Sequence, residues 1–250
     1  MNSLFWLGTL FPWPERSPPI QDVLVGCSRD HLCPSSDADR LGAHVHEGVV
    51  EPFLGLKDAA AESGFDLRIF SGFRSFERQL SIWNRKARGE LPVLDSRARP
   101  LDIAKLKEED LLFAILRWSA LPGTSRHHWG TDLDVIDEAA RPRGYEIELV
   151  PDEVDPGGMF GPMHAWLDER IAARESFGFF RPYDRDRGGV APERWHLSFW
   201  PVAASMEAEF GVDILRATLE RVPLELKEVV MENLEEIFQR FVINIGRPPA

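Results

Sequence analysis

Residues 125–134 read Ser125-Arg-His-His-Trp-Gly-Thr-Asp-Leu-Asp134, and this stretch decides the fold. The alternation of polar and apolar residues over Asp132–Ile136 predicts a strand. Asp132 and Asp134 are two positions apart and therefore share one face of that strand. Gly130 allows the chain to turn before the strand, which places His127 in the preceding loop. The segment thus predicts an imidazole and a carboxylate at one end of a strand.

A second segment, Glu193-Arg194-Trp195-His196, begins another predicted strand, Trp195–Trp200, which we expect to end at Pro201. Positions i and i+3 of a regular strand point to opposite faces. Glu193 and His196 therefore converge only if the backbone is irregular there. Pro192, just before the motif, supports a loop that enters the strand.

These residues suit a metal. Two imidazoles and one carboxylate are good ligands for Zn²⁺, and a catalytic zinc keeps its fourth position open for water. A further carboxylate beside that water can act as a general base. The predicted ligands are His127, Asp134 and His196, with Glu193 as the base. Each fragment alone is common by chance, whereas their joint occurrence favours a site.

Apolar spacing predicts the remaining elements. Helices are expected at Val49–Ser63, Phe76–Arg88, Asp102–Ala120 and Met163–Arg174, a strand at Asp66–Phe70, and amphipathic stretches near Ala203–Arg221 and Leu224–Phe241. Residues 138–158 contain several Pro, Gly and charged residues and predict a surface excursion. Helices and strands mix without regular βαβ alternation, which favours an α+β fold: a small antiparallel sheet flanked by helices, with extra C-terminal helices.

Composition excludes several classes of protein. The 250 residues include 29 Lys and Arg against 41 Asp and Glu, a net charge of −12. An acidic chain with no basic run is a poor ligand for nucleic acid or for an anionic membrane surface. No stretch reaches the roughly 18 apolar residues that a membrane span requires. We therefore expect neither a nucleic-acid partner nor a transmembrane segment, and the oligomeric state stays open.

The motifs resemble those of the zinc D,D- and L,D-carboxypeptidases related to VanY and of the D-Ala-D-Ala dipeptidase VanX. Ser-x-His-x-x-Gly-x-x-x-Asp, followed by Glu-x-Trp-His, is similar to the metal motifs of that family. The turn Ser71-Gly72-Phe73-Arg74-Ser75 matches its Ser-Gly-Tyr-Arg-Ser, and Phe76 and Gln79 continue the match. Gly178-Phe179 matches a pair before the last motif. The resemblance covers about Val49 to Pro201.

The resemblance implies a single zinc ion per chain. His127, Asp134 and His196 would bind it, as the residues themselves already suggest. Glu193 would take a proton from the metal-bound water and pass it to the leaving amine.

The other family positions concern the substrate. Arg74 would stabilise the negative oxygen that develops on the attacked carbonyl, as a cation placed where charge appears. Gln79 and Ser125 match positions that bind the end of the peptide in the carboxypeptidases. Because a substrate carboxylate must approach an acidic protein, we expect Arg74, Arg126 and the zinc to make the cleft locally positive.

The resemblance implies a zinc metallopeptidase that hydrolyses peptide bonds next to D-amino acids in peptidoglycan stem peptides or other small D-amino-acid peptides, like a D-alanyl-D-alanine carboxypeptidase. The alternatives are a D,D-dipeptidase, an L,D-carboxypeptidase or a peptidoglycan endopeptidase. A non-catalytic cell-wall peptide-binding module and a structural metal protein are further alternatives. Residues 1–48 are expected as an N-terminal arm, 49–201 as the peptidase core, and 202–250 as a helical extension packed on it.

Some residues leave alternatives open. Asp132 stands where the family usually has a small residue; it either orients a metal ligand, attracts a substrate ammonium or is a solvated carboxylate at a strand edge. His128 either lines the cleft or is structural. His44 and His46 lack a third ligand at a known spacing, so surface positions are expected. Trp129 and Trp195 are expected to pack beside the ligands.

The N-terminal sequence and the site of action of peptidoglycan hydrolases give two different predictions for the compartment. The apolar N-terminus has no Lys or Arg before the apolar stretch and is interrupted at Pro12, so it is a poor signal peptide. Cytoplasmic localisation is therefore the default expectation, with Cys27 and Cys33 as free thiols. Export to the periplasm or cell wall is the alternative, because peptidoglycan hydrolases act there.

Overall fold

Four short strands form one antiparallel sheet, with helices packed around it, in a computed structural model that describes residues 19–249. The order across the sheet is β1-β2-β4-β3. The strands are β1 Leu67–Ser71, β2 Asp132–Asp137, β3 Phe179–Phe180 and β4 His196–Phe199. The predicted α+β class with a small antiparallel sheet is confirmed.

Helices make up most of the rest. Those of the described residues are α1 Ile20–Leu24, α2 Ser35–Leu41, α3 Val50–Glu62, α4 Phe76–Ala87, α5 Glu108–Leu116, α6 Pro151–Val154, α7 Gly161–Ala172, α8 Trp200–Glu209, α9 Val212–Leu219, α10 Lys227–Glu232 and α11 Leu234–Ile237. A 3₁₀ turn, Arg126–Trp129, precedes β2, and a π-helical turn, Phe238–Val242, follows α11. Within residues 19–249, no helix is long and apolar enough to cross a membrane.

The central strand β2 positions the site. All six of its residues are buried, and it pairs with β1 on one side and β4 on the other. In this register Asp134 lies opposite His196 on β4 and opposite Ser71 on β1. Because directly opposed residues of antiparallel strands are neighbours in space, three distant sequence segments meet at Asp134.

The predicted helix Asp102–Ala120 is shorter than expected. Residues 103–105 form a separate 3₁₀ turn, the backbone is extended at Leu106 and Lys107, and α5 runs only from Glu108 to Leu116. Three acidic residues occupy the first turn of α5. Negative side chains are favourable beside a helix N-terminus, which explains why the helix begins there.

The C-terminal stretches are also divided. Strand β4 ends at Phe199, two residues before the predicted end at Pro201, and Pro201 lies in the first turn of α8. A proline is well tolerated there because the first helical N–H groups need no partner within the helix. Extended backbone at Phe210 and Gly211 separates α8 from α9, so the stretch Ala203–Arg221 is two helices.

The segment 138–158 does not simply project from the surface. Glu153 is buried, and its carboxylate accepts hydrogen bonds from the Tyr145 hydroxyl and from the backbone N–H groups of Glu148 and Leu149, each at 2.9 Å. This carboxylate folds the segment back on itself. Leu149 consequently lines the cavity described below.

Both ends of the described chain join the same apolar core as β2. The described part of the expected arm, residues 19–48, buries Val23, Leu24 and Val45, so it is not confined to the surface. Met206 of α8 and Ile237 of α11 belong to the same cluster. Residues 1–18 lie outside the described residues. The predicted domain boundaries stay a prediction.

Histidine burial makes folding sensitive to acid. His46 is buried, contrary to expectation, whereas His44 is exposed. The ring of His46 lies 5.8 Å from that of buried His31. Burial lowers the pKa of His31 to about 4 and that of His46 to about 3. Below pH of about 6.5 the unfolded chain takes up protons that the folded chain does not bind.

We expect the free energy of unfolding of the metal-free protein to fall between about pH 6.5 and pH 4, by about 1.4 kcal/mol per pH unit for each of the two histidines. Urea denaturation at several pH values measures this slope. His46 Nδ1 accepts a hydrogen bond from the Gly48 N–H, so Asn is the suitable replacement. His46→Asn should give a shallower slope than the control His44→Asn; parallel slopes would contradict the assignment.

Candidate metal centre

Three buried side chains from different elements converge. His127 comes from the 3₁₀ turn, Asp134 from β2 and His196 from the start of β4. Each offers one donor atom, and these atoms all lie within 4.8 Å of one another. His127 Nε2 is 3.3 Å from Asp134 Oδ2, and His196 Nδ1 is 3.2 Å from Asp134 Oδ1. Within residues 19–249, no other group of His, Cys, Asp and Glu has this arrangement.

Gly130 ends the turn that carries His127. Its φ is +66°, and a Cβ there would lie 2.6 Å from the backbone nitrogen of His46. That nitrogen donates a 2.8 Å hydrogen bond to the Gly130 carbonyl. Glycine is therefore required both for the left-handed backbone and for the close approach of a neighbouring segment.

The motif at 193–196 has the irregular backbone that its spacing predicts. The His196 N–H donates to the Glu193 carbonyl at 3.1 Å, which closes a turn just before β4. The turn returns Glu193 to the side of His196, and Glu193 Oε2 lies 3.6 Å from His196 Nδ1. The glutamate is thus beside the three candidate ligands.

Hydrogen bonds set the tautomer of both imidazoles. His127 Nδ1 is 2.9 Å from the Gly72 carbonyl oxygen, and His196 Nε2 is 3.0 Å from Asp132 Oδ1. Both partners are acceptors, so these nitrogens carry the protons. His127 Nε2 and His196 Nδ1 face Asp134 and are the nitrogens left to bind a metal. Metal-binding histidines are oriented in this way by acceptors on their second nitrogen.

Asp134 also fits a cation. Its Oδ1 atom is buried and has no hydrogen-bond partner in the described chain. Although burial alone raises the pKa of a carboxyl group, His127 and His196 hold the pKa of Asp134 well below its usual range. Two imidazole nitrogens and one ionised carboxylate form a donor set suited to Zn²⁺, with the side toward the cavity left open.

A cavity of about 290 Å³ opens on this group. Glu193 lines it, and burial raises the pKa of Glu193 to about 7, against the opposing effect of His196. Arg74 also lines it. The Arg74 guanidinium donates to Gln79 Oε1 at 3.1 Å and lies 3.4 Å from Ser71 Oγ. Burial lowers the pKa of Arg74, while Asp134 favours its charged form.

The two predicted substrate-binding residues occupy different places. Ser125 lines the cavity. Gln79 is fully buried behind Arg74, and its amide also donates to the Ala120 carbonyl at 2.7 Å. Any contribution of Gln79 to substrate binding therefore acts through Arg74. The binding roles of Gln79 and Ser125 stay predictions.

Asp132 is not a solvated carboxylate. It is fully buried and accepts hydrogen bonds from Arg126 Nε at 2.7 Å and His196 Nε2 at 3.0 Å. The hydroxyls of Thr131 and Ser198 donate to its other oxygen. With both oxygens occupied, it is unsuited to bind a substrate ammonium. Of the open alternatives, the structure favours the orientation of His196.

Arg126 does not supply free positive charge to the cleft, contrary to expectation. Its guanidinium donates to Asp132, to Glu207 Oε1 at 2.6 Å and to Ser198 Oγ at 2.8 Å. Two carboxylates therefore offset one cation. Arg74, whose hydrogen bonds go to neutral groups, remains the better source of positive charge.

Sequence reasoning missed Tyr183. It lines the cavity, its ring lies 5.0 Å from that of His196, and its carbonyl accepts the Glu193 N–H at 3.0 Å. No motif surrounds it; its only signal is an aromatic ring with a polar tip between the two metal motifs. Trp195 is buried as predicted, and it stacks on Trp118 while also lining the cavity.

The two residues that follow His127 have structural hydrogen bonds. His128 Nδ1 is 2.6 Å from the Arg74 carbonyl oxygen, and His128 is fully buried. Trp129 is buried and donates to the Leu24 carbonyl. Both side chains bond the 3₁₀ turn Arg126–Trp129 to neighbouring backbone. The contacts of His128 therefore support its structural alternative.

Comparison with known proteins agrees with these motifs. A family model described as "VanY: D-alanyl-D-alanine carboxypeptidase" matches residues 42–202, well over half of the chain. The chain belongs to the VanY family. The match begins shortly before α3 and ends in α8, so it includes every candidate ligand, Glu193 and Arg74.

Relatives are similar over parts of their length. An uncharacterized protein of Haemophilus influenzae is 40% identical over 100 residues, which cover 40% of this chain and 68% of that protein. A D-alanyl-D-alanine carboxypeptidase of Enterococcus faecalis is 29% identical over 160 residues, which cover 62% of this chain and 48% of that protein.

Two solved structures are similar at low identity. VanYB in complex with D-alanine-D-alanine has a TM-score of 0.44 at 21% identity, over 75% of this chain and 83% of that one. A Glu-to-Ala mutant of the vancomycin-resistance D,D-pentapeptidase VanY in complex with Zn(II) has a TM-score of 0.44 at 22% identity, over 75% of this chain and 84% of that one.

The requirement for glycine at position 130 can be tested by its effect on stability. Gly130→Ala should destabilise the protein for two reasons. Alanine in the left-handed backbone conformation costs about 1–2 kcal/mol. The added Cβ would also clash with the His46 nitrogen. Gly144→Ala is the matched control, because Gly144 also has a positive φ, +79°, but nothing lies within 4 Å of its Cβ position. Urea denaturation should give the larger loss at Gly130; equal losses would exclude the clash.

Proposed function

We propose that this protein is a zinc-dependent peptidase that hydrolyses peptide bonds next to D-amino acids in peptidoglycan-derived peptides, like a D-alanyl-D-alanine carboxypeptidase. The observation that carries the proposal is the open ligand group His127, Asp134 and His196 on the wall of a cavity that Glu193 and Arg74 also line. Family membership supports the peptidase and carboxypeptidase class.

One Zn²⁺ per chain would be held by the three candidate ligands. When bound, zinc lowers the pKa of a coordinated water and polarises a carbonyl group. The protein's own part is to present one nitrogen of each imidazole and one ionised carboxylate in a buried, fixed arrangement.

Glu193 is the candidate general base. Its burial raises its pKa to about 7, so its carboxylate is a better proton acceptor than an exposed glutamate. It would accept the proton of the attacking water and return it to the amine that leaves. The turn at 193–196 fixes this carboxylate beside His196.

Arg74 would stabilise negative charge on the attacked carbonyl oxygen. A buried cation acts more strongly than one in water, because little solvent screens it. Gln79 and Ser71 hold the guanidinium in place without neutralising it. Ser125 offers a hydroxyl on the same cavity for the end of the peptide.

The alternative peptidases differ in the peptide bond that they hydrolyse. A D,D-dipeptidase, an L,D-carboxypeptidase and a peptidoglycan endopeptidase would all use the same ligands. A cavity of about 290 Å³ suits the end of a small peptide, which favours a carboxypeptidase or dipeptidase. The intact ligands, Glu193 and Arg74 disfavour a module that binds without cleaving. Cytoplasmic localisation, or else export to the periplasm or cell wall, stays a prediction.

Zinc-loaded protein incubated with muropeptides that end in D-Ala-D-Ala should release a single D-Ala, identified by mass spectrometry. Muropeptides that end in one D-Ala are the parallel substrate for an L,D-carboxypeptidase, and free D-Ala-D-Ala is that for a dipeptidase. Cleavage of only one of these two other substrates would assign the protein as an L,D-carboxypeptidase or a dipeptidase instead. No cleavage of any of them would exclude a carboxypeptidase and a dipeptidase.

Glu193→Gln should retain zinc and lose hydrolysis by at least 100-fold, because general-base catalysis contributes about 10²–10⁴-fold. Metal content by elemental analysis and turnover of D-Ala-D-Ala peptides measure the two effects separately. The control is Glu209→Gln, an exposed carboxylate on α8. Unchanged turnover in Glu193→Gln would remove this residue from the mechanism.

Arg74→Ala should lower kcat far more than it weakens zinc binding, because its charge acts on the transition state. We expect a loss of about 10²–10³-fold, the range for removal of one oxyanion-stabilising group. Steady-state kinetics and zinc titration distinguish the effects. Loss of zinc with no separate loss of kcat would instead assign Arg74 a structural role.

A further inference from the structure

Glu207 connects α8 to the metal centre. Its side chain is only 17% exposed, and Oε1 accepts a 2.6 Å hydrogen bond from Arg126. Its other oxygen pairs with Arg247 near the C-terminus. Glu207 lies beyond residue 202, where the family match ends. The contact therefore comes from the part of the chain that the peptidase family model does not include.

A continuous series of charged contacts, partly buried at Glu207 and fully buried from Arg126 inward, leads to a candidate ligand. Arg126 donates from Nε to Asp132 at 2.7 Å while it holds Glu207. Asp132 Oδ1, in turn, is 3.0 Å from His196 Nε2. Ser198 accepts from Arg126 and donates to Asp132, which braces the pair from β4. Each residue thus restricts the orientation of the next.

The charges in this series determine how strongly Asp132 accepts the hydrogen bond from His196. Arg126 alone would draw the electron density of Asp132 toward itself and weaken Asp132 as an acceptor for the His196 N–H. Glu207, whose other oxygen pairs with the exposed Arg247, shares the guanidinium, so Arg126 lies between two carboxylates. Asp132 then remains a strong acceptor, and an imidazole that donates to a carboxylate is a more basic metal ligand through its other nitrogen.

We propose that Glu207 is a positioning residue for the metal centre, which acts through Arg126 and Asp132 to orient His196 and to strengthen it as a ligand. The proposal rests on the proposed function, because it requires that His196 binds zinc. Helix α8 would then support the metal centre through Glu207 in addition to packing against the core.

The test measures zinc affinity of the full-length chain by competition with a chromophoric chelator. The variants are Glu207→Gln, Asp132→Asn and the double variant, with Glu209→Gln as the control on the same helix. Loss of a residue that supports a metal ligand typically weakens metal binding by about 10–100-fold. We expect that loss for Asp132→Asn, a smaller loss for Glu207→Gln, and a double variant no weaker than Asp132→Asn alone.

Co²⁺ supplies a readout that packing alone does not move. The visible absorption bands of the cobalt-loaded protein should shift in Glu207→Gln and Asp132→Asn but not in Glu209→Gln. Glu207→Gln keeps an oxygen acceptor at a partly exposed position, so we expect it to fold. Melting of the metal-free variants measures any general loss of stability separately.

Two results would overturn the proposal. The first is a Glu207→Gln variant whose zinc affinity and cobalt spectrum match those of Glu209→Gln. The second is a double variant whose losses multiply, because Glu207 would then act independently of Asp132. If the wild-type chain binds no zinc, the proposed function fails together with this inference. If the wild type binds zinc and cleaves its peptide while Glu207→Gln is unaffected, this inference alone fails.

Discussion

Two buried carboxylates on one strand, Asp132 and Asp134, are the constraint on which the site depends. A buried charge is costly unless it is paired and hydrogen-bonded. Arg126 and His196 surround Asp132, while His127 and His196 face Asp134. Because His196 contacts both carboxylates, the register of β4 against β2 cannot slip without removing one partner from each of them.

This constraint explains how much of the site could be predicted. Asp134 and His127 are seven residues apart, and the strand alternation and Gly130 place them together by local rules. The turn at Glu193 follows from the spacing of 193 and 196. Partners from distant segments leave no local trace: Glu207 on α8 meets Arg126 only in the fold, and Tyr183 reaches the cavity from a segment without a motif.

The same contrast holds for the elements. Residue spacing predicts α3, α4 and the strand β2 with small errors. The two helices each bury one face, whereas all six residues of β2 are buried. Residue spacing also predicts a helix over Asp102–Ala120 that is longer than α5 at both ends, and one amphipathic stretch near Ala203–Arg221 where the structure has two helices. The charged residues 107–110 mark the start of α5, whereas the extended backbone at Phe210 interrupts a pattern that remains apolar across the break. Periodicity reports which residues are buried, and it does not report where the backbone hydrogen bonds stop.

The position of Glu193 distinguishes an open site from a closed one. A structural zinc would use a fourth protein ligand, and Glu193 is the nearest additional carboxylate in the motif. Its oxygen lies 3.6 Å from His196 Nδ1, outside the group of three converging donors, and it lines the cavity. Burial raises its pKa, whereas the pKa of Asp134 is held low. Two carboxylates with opposite shifts suit different tasks, one as a permanent anion and the other as a proton acceptor. That division of tasks is the one that the proposed hydrolysis requires.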